Sequence, residues 1–320
     1  MAITVDGGSG GGGVLTLGGS SSTGGGTSDD LINKIASDIS TTAGSTSGTQ
    51  QTLSGSGTIA AASTVAGSKT SVVLTGSSSV ATTVPVGYDY VILNTTSKSA
   101  VIGTNTTILG GTGGSQVTVS GTSQVALTGG NNTVKASGSY VVATGDGDDS
   151  VVVSGSGTVA GGKGQNTLVA SGGAGDKSTI VSSDTKDVIA VGGGDAVITT
   201  SGSAATVYLG TGANTVTSSG SDAKIGGSTG SNAVSTSGSN NTMFANSGDS
   251  TVTAAGSGNK VGAFTGKVVI NATGDDFEVF ADSGAVSVNA TGARAKIHGA
   301  NAIGDITATL GGANGILSGS

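Results

Sequence analysis

Residues 250–290 read STVTAAGSGNKVGAFTGKVVINATGDDFEVFADSGAVSVNA, and one period runs through the whole stretch. A large apolar residue stands at every ninth position, and a glycine follows each one after four or five residues in alternation. Glycine suits tight turns that need a positive φ. Two unequal nine-residue halves therefore make one unit of strand, turn, strand and turn. The apolar positions are Val252, Val261, Ile270, Val279 and Val288.

The period extends far beyond this stretch. The nine-residue step holds without a gap from Ile180 to Ile306, and it continues more loosely towards Leu53. Its strands are rich in Val, Ile and Thr, which suit a pleated sheet, and alanines flank the large inward residues. The sequence therefore predicts an all-β fold over residues 42–320. We expect a right-handed parallel β-solenoid, a flattened two-sheet β-roll of about 18 residues per coil.

Composition excludes several classes of protein. The chain has 62 Gly, 1 Pro, no Cys and 2% aromatic residues, yet 34% of it is apolar and its net charge is -7. These values fit neither collagen nor a disordered chain. Zinc sites and most nucleophile chemistry are disfavoured, because His298 is the single histidine and Asp305 is the acid nearest to it in sequence. We expect His298 to be a surface residue on a strand.

Two further exclusions concern partners. The 12 Lys and Arg residues form no basic cluster, so nucleic-acid binding is not expected. No apolar run is long enough for a membrane-spanning helix, so membrane insertion is not expected either.

Several half-repeats resemble the nonapeptide Gly-Gly-x-Gly-x-Asp-x-U-x of the RTX, or haemolysin-type calcium-binding, family, in which U is a large apolar residue. The best matches are residues 161–169 (GGKGQNTLV), 144–152 (TGDGDDSVV), 209–217 (LGTGANTVT) and 110–118 (GGTGGSQVT). The resemblance implies a β-roll with calcium in its turns. It also implies type I secretion without a cleaved Sec signal peptide, and an extracellular role as an adhesin, surface-layer or matrix protein.

The turns depart from that family at the acidic position, which is mostly Asn, Ser or Ala. Calcium takes six to eight oxygen ligands, several of them carboxylates, so no cofactor is required and at most one calcium site is expected. The candidate ligands are Asp146, Asp148 and Asp149, and the alternative is a polar Gly-Asp turn. Asparagine at the other turns can form hydrogen-bonded ladders between coils in place of metal.

The outward faces of the coils differ. One presents hydroxyl and amide side chains, including Thr215, Thr217, Ser235 and Asn271, that can bind a neighbouring solenoid, a glycan or ice. The other carries aromatic residues and lysines that each recur every 36 residues, with Gly226 and Gly262 between the aromatics. These residues either cover bare backbone at glycine or form a contact stripe for subunits or cell-surface polysaccharide. They are Tyr208, Phe244 and Phe280, and Lys224, Lys260 and Lys296.

The N-terminal part divides in two. Residues 1–27 are Gly/Ser-rich and are predicted to be a flexible segment. The alternative is that its apolar pieces, which contain Ile3, Val5, Val14 and Leu17, add as strands to the open sheet edge of a neighbour. Residues 28–41 are predicted to form a helix that begins at Ser28 and caps the first coil.

The function expected from these features is structural. We expect an extracellular, self-assembling subunit of a surface layer or biofilm-matrix fibre, a homo-oligomer or filament that polymerises through solenoid ends and flat faces. The alternative is a monomeric RTX-like adhesin that binds glycans or surfaces, with or without calcium. A polysaccharide-cleaving enzyme is not expected, because the chain has a single Arg, Arg294, and a single Glu, Glu278.

Overall fold

The structure, a computed structural model, describes residues 2–5, 15–18, 28–43, 50–54, 58–62, 69–75, 82–94, 96, 99–299 and 304–319. The fold is an all-β parallel β-solenoid of about 13 turns, with a single short helix near the N-terminus of the described chain. The solenoid expected from the nine-residue period is therefore confirmed. The chain divides into two compact units, residues 1–168 and 169–320, which are described separately.

The first unit contains the helix and the earlier strands. In chain order its elements are β1 (Ala2–Val5), β2 (Leu15–Gly18), α1 (Ser28–Ala43), β3 (Gln50–Ser54), β4 (Ser71–Thr75), β5 (Thr82–Thr83), β6 (Tyr90–Asn94), β7 (Ala100–Thr104), β8 (Thr107–Gly110), β9 (Gln116–Ser120), β10 (Thr122–Ala126), β11 (Thr133–Ala143) and β12 (Ser150–Ala160).

The second unit consists of short strands. After β13 (Thr167–Ala170), which spans the boundary, they are β14 (Lys177–Ser182), β15 (Val188–Val191), β16 (Asp195–Thr200), β17 (Thr206–Tyr208), β18 (Asn214–Ser218), β19 (Lys224–Gly226), β20 (Asn232–Thr236), β21 (Thr242–Ala245), β22 (Ser250–Ala254), β23 (Lys260–Ala263), β24 (Val268–Ala272), β25 (Glu278–Ala281), β26 (Val286–Ala290), β27 (Lys296–Gly299), β28 (Ile306–Leu310) and β29 (Ile316–Gly319).

The core of the second unit is two columns of stacked apolar side chains. Ile180 lies opposite Ile198 in the parallel pair β14–β16, and the same step repeats along both columns. The even-numbered strands from β14 to β26 stack Ile180, Ile198, Val216, Val234, Val252, Ile270 and Val288. The odd-numbered strands from β15 to β27 stack Ile189, Val207, Ile225, Met243, Val261, Val279 and Ile297.

The coil length varies slightly along the chain. In the first unit Val117 pairs with Val134 and Val134 with Val151, so each of these coils is one residue shorter than the coils that stack Ile180 on Ile198. One half of each of these coils is therefore eight residues long rather than nine. In the last described coil Val286 pairs with Ile306, so this coil is two residues longer than its predecessors. The predicted stacking of Ile306 on Val288 is therefore wrong.

The helix is confirmed, and it runs two residues beyond the predicted end, to Ala43. Its apolar side packs against outward-facing residues of five strands, so it covers the side of the first unit rather than the first coil, where the sequence placed it. This outward face is apolar and would otherwise be exposed to water. The packed residues are Ile32, Ile35, Ala36 and Ile39 of α1, and Val73, Ile92, Leu109, Ala126 and Ala143 of β4, β6, β8, β10 and β11.

Asparagine ladders hold successive turns together, as the sequence predicted. The Oδ1 of Asn241 accepts the backbone N–H of Ala223 at 2.7 Å, and the Oδ1 of Asn259 accepts that of Asn241 at 2.8 Å. The Nδ2 of Asn241 donates to the carbonyl of Gly238 at 2.8 Å within its own turn. Each side-chain amide thereby satisfies backbone groups of two turns that the strands leave unpaired.

Candidate binding faces

The three aspartates predicted as calcium ligands point in different directions. Asp146 forms an exposed salt bridge with Lys163 at 3.2 Å, and the exposed Asp148 accepts the backbone N–H of Gln165 at 2.8 Å. Asp149 points inward and is 2% exposed. No group of three His, Cys, Asp or Glu side chains in the described part of the chain is placed to share a metal ion.

Asp149 instead occupies a position in an amide ladder. Its Oδ1 accepts the backbone N–H of Asn132 at 2.7 Å, and its own N–H is bound by the Oδ1 of Asn166 at 3.1 Å. Its Oδ2 is buried and has no hydrogen-bond partner among the described residues. Burial raises the pKa of Asp149 to about 6, although the hydrogen bonds from Asn132 oppose the rise.

The N-terminal contact residues belong to two strands that pair with each other. In the antiparallel pair β1–β2, Ile3 lies opposite Leu17 and Val5 opposite Leu15. Val14 lies outside the described residues. Strand addition to a neighbouring molecule stays a prediction.

The recurring aromatic residues and lysines form two adjacent columns on one side of the second unit. We call this side, the outward side of β17, β19, β21, β23, β25, β27 and β29, the aromatic face. One column runs Tyr208, Gly226, Phe244, Gly262, Phe280, His298 and Ser318, and its neighbour runs Thr206, Lys224, Thr242, Lys260, Glu278, Lys296 and Ile316. The register predicted from the recurrence of the aromatic residues is thus confirmed.

The aromatic rings lean over the next coil. The Phe244 ring lies against Gly262, where an added Cβ would be 3.1 Å from its Cδ1, and a Cβ on Gly226 would be 3.9 Å from Cδ1 of Tyr208. Phe264, two residues after Gly262, stacks with Phe244 at a centroid distance of 6.4 Å and an interplanar angle of 25°. These rings thus cover bare backbone and also form an apolar platform.

A cleft of about 400 Å³ opens beside this platform. Phe244, Phe264 and Phe280 wall it, Gly262 lies at its base, and Lys260 and Asp282 bring charged groups to its lining. The volume lies in the range of small-molecule sites, which are mostly apolar with a few polar groups. Phe264 and Asp282 were not predicted from the sequence, although their even spacing from Gly262 and Phe280 places them on the same side of the strands.

Glu278 organises the charged residues of this face. Its carboxylate lies 3.0 Å from Nζ of Lys260 and 3.2 Å from Nε2 of His298. The hydrogen bond from Lys260 is the main reason that the pKa of Glu278 lies below its usual value, although burial opposes it. His298 also stacks on Phe280, with ring centroids 5.1 Å apart.

The acid beside His298 is therefore Glu278, although Asp305 is nearer in sequence. Nδ1 of His298 lies 3.1 Å from Oγ of Ser318, so the three residue types of a hydrolytic triad stand in one row. The Ser318 hydroxyl also lies 3.3 Å from the carbonyl of Ile297, to which it can donate. We interpret the row as a surface hydrogen-bond network, with His298 on strand β27.

The opposite side of the second unit carries mainly hydroxyl and amide groups, with Val197, Ala233 and Val269 among them. We call this side, the outward side of β16, β18, β20, β22, β24, β26 and β28, the polar face. Its two central columns contain no charged residue, and charged groups such as Asp195, Asp249 and Lys267 stand at its border. One central column is exposed on all seven strands and consists of Thr199, Thr217, Ser235, Thr253, Asn271, Asn289 and Thr309.

Comparison with known proteins adds no relative. No protein-family model matches the chain, and no curated protein or solved structure matches it. In the described part of the chain, no helix has the length and apolar character needed to cross a membrane.

Proposed function

We propose that this chain is an extracellular structural protein that self-assembles side by side through its polar face. The column from Thr199 to Thr309 carries this proposal, because seven stacked strands present hydroxyl or amide groups without one charge. Soluble surfaces usually intersperse charged residues of both signs, and this chain has a net charge of -7. Two copies can pack together through an uncharged face without the free-energy cost of removing water from charged side chains.

The regular spacing of the coils also favours a second copy of this chain as the partner. Strands stack about 4.8 Å apart, so two copies present rows of hydrogen-bonding groups with the same repeat. A second copy can therefore match many groups at once, and each added coil adds further hydrogen bonds. Each hydrogen bond contributes little free energy by itself, but the bonds of seven strands together stabilise the interface.

The extracellular location rests on the resemblance of the turns to the RTX nonapeptide. That resemblance supports type I secretion and a place in a surface layer or biofilm matrix. Polymerisation through the solenoid ends stays a prediction from the sequence. No enzymatic activity and no cofactor enter the proposal.

Lysine substitutions on the two faces test it by sedimentation velocity over a range of protein concentrations. We expect the wild type to form concentration-dependent oligomers and the double variant Thr217→Lys/Thr253→Lys to remain monomeric. The matched control is Thr206→Lys/Thr242→Lys, which adds the same charge to the aromatic face and should assemble like the wild type. A wild type that stays monomeric contradicts the proposal, as does a polar-face variant that assembles normally.

A further inference from the structure

The aromatic residues of this chain are concentrated on one face. The chain has only four Tyr and four Phe, and four of these eight lie on the aromatic face of the second unit. Large exposed apolar groups that cluster in this way usually mark a contact surface. Their exposed fractions are 57% for Tyr208, 43% for Phe244, 39% for Phe264 and 47% for Phe280.

The face repeats every two coils rather than every coil. Tyr208, Phe244 and Phe280 stand on alternate strands of one column, about 9.6 Å apart along the solenoid. Lys224 and Lys260 stand on the strands between them, and Lys296 follows Phe280. A ligand that uses the whole face must therefore be a linear polymer that offers one apolar group and one acidic group per repeat.

The charge of this face points to an anionic ligand. Its lysine column contains three Lys and the acid Glu278, and with Asp282 at the cleft the face has three cationic and two acidic groups, whereas the chain as a whole has a net charge of -7. Lys260 pairs with Glu278, but Lys224 and Lys296 form no salt bridge with any described residue. These two ammonium groups are available to a carboxylate from outside the chain.

The cleft beside Phe244 shows how a sugar ring would bind. Phe244 and Phe264 offer nearly parallel ring faces, and both rings lie close to the backbone because Gly262 between them has no side chain. A pyranose ring has C–H bonds on its faces and hydroxyl groups at its edge. Its face can pack on the aromatic platform while its hydroxyls reach Lys260 and Asp282 at the cleft lining.

We propose that the aromatic face binds a linear acidic polysaccharide whose repeat is two sugars, one of them a uronate. One sugar of each pair packs on an aromatic ring, and the carboxylate of the next pairs with a lysine of the intervening coil. Two linked pyranose rings in an extended chain span a length comparable to two coils, so successive pairs meet successive aromatic rings. This activity is separate from assembly, which we assign to the polar face.

Isothermal titration calorimetry with a hyaluronan decasaccharide tests the proposal, because that glycan alternates glucuronate with a neutral sugar. Cellohexaose is the neutral comparison. We expect hyaluronan to bind, salt to weaken the binding, and cellohexaose to bind at least about tenfold more weakly.

Variants locate the site. Phe244→Ala/Phe280→Ala should weaken hyaluronan binding at least about tenfold, and Lys224→Gln/Lys296→Gln should weaken it and reduce its salt dependence. The control is Val197→Ala, which removes an exposed apolar side chain from the polar face and should leave binding unchanged. Unchanged circular dichroism spectra and melting temperatures establish that the variants fold.

Three results would overturn the proposal. The first is no binding of hyaluronan at either of two temperatures, and the second is equal binding of cellohexaose. The third is loss of self-association in Phe244→Ala/Phe280→Ala without any glycan binding by the wild type, which would assign this face to a second copy of the chain. Because the polar-face lysine variants keep the aromatic face intact, failure of assembly and failure of glycan binding are distinguishable.

Discussion

Asp149 and Asn166 occupy equivalent positions one coil apart, yet only Asn166 has hydrogen-bond partners for both polar atoms of its side chain. The Oδ1 of each accepts a backbone N–H from the preceding coil, at 2.7 Å for Asp149 and 3.1 Å for Asn166. The Nδ2 of Asn166 then donates to the carbonyl of Gly164 at 3.2 Å. Asp149 has a second acceptor oxygen in place of that donor, and it is buried without a partner. The carboxylate therefore opposes folding whenever it is ionised.

This difference predicts a stability that depends on pH. The pKa of Asp149 is about 6 in the folded chain and 3.8 in the reference state, so the folded state holds the proton more tightly. The free energy of unfolding should therefore fall as pH rises from about 4 to 6 and then level off, a loss of about 2–3 kcal/mol from this group. Urea unfolding at several pH values measures it.

Asp149→Asn should remove this loss, because the amide can donate as Asn166 does. We expect the variant to be about 2 kcal/mol more stable than the wild type at pH 7.5 and nearly equal to it at pH 4. Asp148→Asn is the matched control, since that side chain is exposed and keeps its Oδ1 acceptor. A variant with the same pH dependence as the wild type would contradict this explanation.

Phe277 is the one buried phenylalanine, with 1% of its surface exposed. Truncation to alanine should cost about 3–5 kcal/mol, because the narrow interior cannot close around the cavity. Phe264→Ala removes the same atoms from the partly exposed aromatic face and should cost less than half as much. Thermal and urea unfolding of both variants measure the difference, and equal losses would show that Phe277 does not fill the core.

At the turns, the asparagine ladders should contribute as much to the free energy of unfolding as the apolar columns do. Asn241→Ala leaves the backbone N–H of Ala223 and the carbonyl of Gly238 without their partner, which should cost about 1–3 kcal/mol. Asn271→Ala changes an exposed asparagine of the polar face and should stay within about 0.5 kcal/mol of the wild type. If both variants lose the same stability, the ladder is not structural.

The period of the sequence was sufficient to predict the stacking of Ile180 on Ile198 and the alternation of Phe244 with Gly262. Both follow from a fixed coil length and from side chains that alternate across a strand. The shorter coils of the first unit were harder to predict. A half-coil that loses one residue keeps the alternation of apolar residues in its strand, and only the length of its turn changes.

The side of the solenoid covered by the helix could not be predicted from the helix itself. An amphipathic helix shows that Ile35 is buried, but not against which surface. The signal was in the strands, where Val72, Val73 and Leu74 are consecutive and all buried, as expected of a strand covered on both sides. The partner of His298 was also missed, because Glu278 reaches it from the neighbouring coil rather than from nearby in sequence.

Self-association through the polar face is the central claim, and spin labels test it most directly. The chain has no cysteine, so Ser235→Cys and Thr242→Cys each place one nitroxide on one face without other changes. Double electron–electron resonance should give a short, defined intermolecular distance for the label at residue 235, in the middle of the polar face, and a clearly longer one for the label at residue 242, on the far side of each copy. A shorter intermolecular distance from residue 242 than from residue 235, or no defined distance from either position in oligomeric samples, would contradict the account.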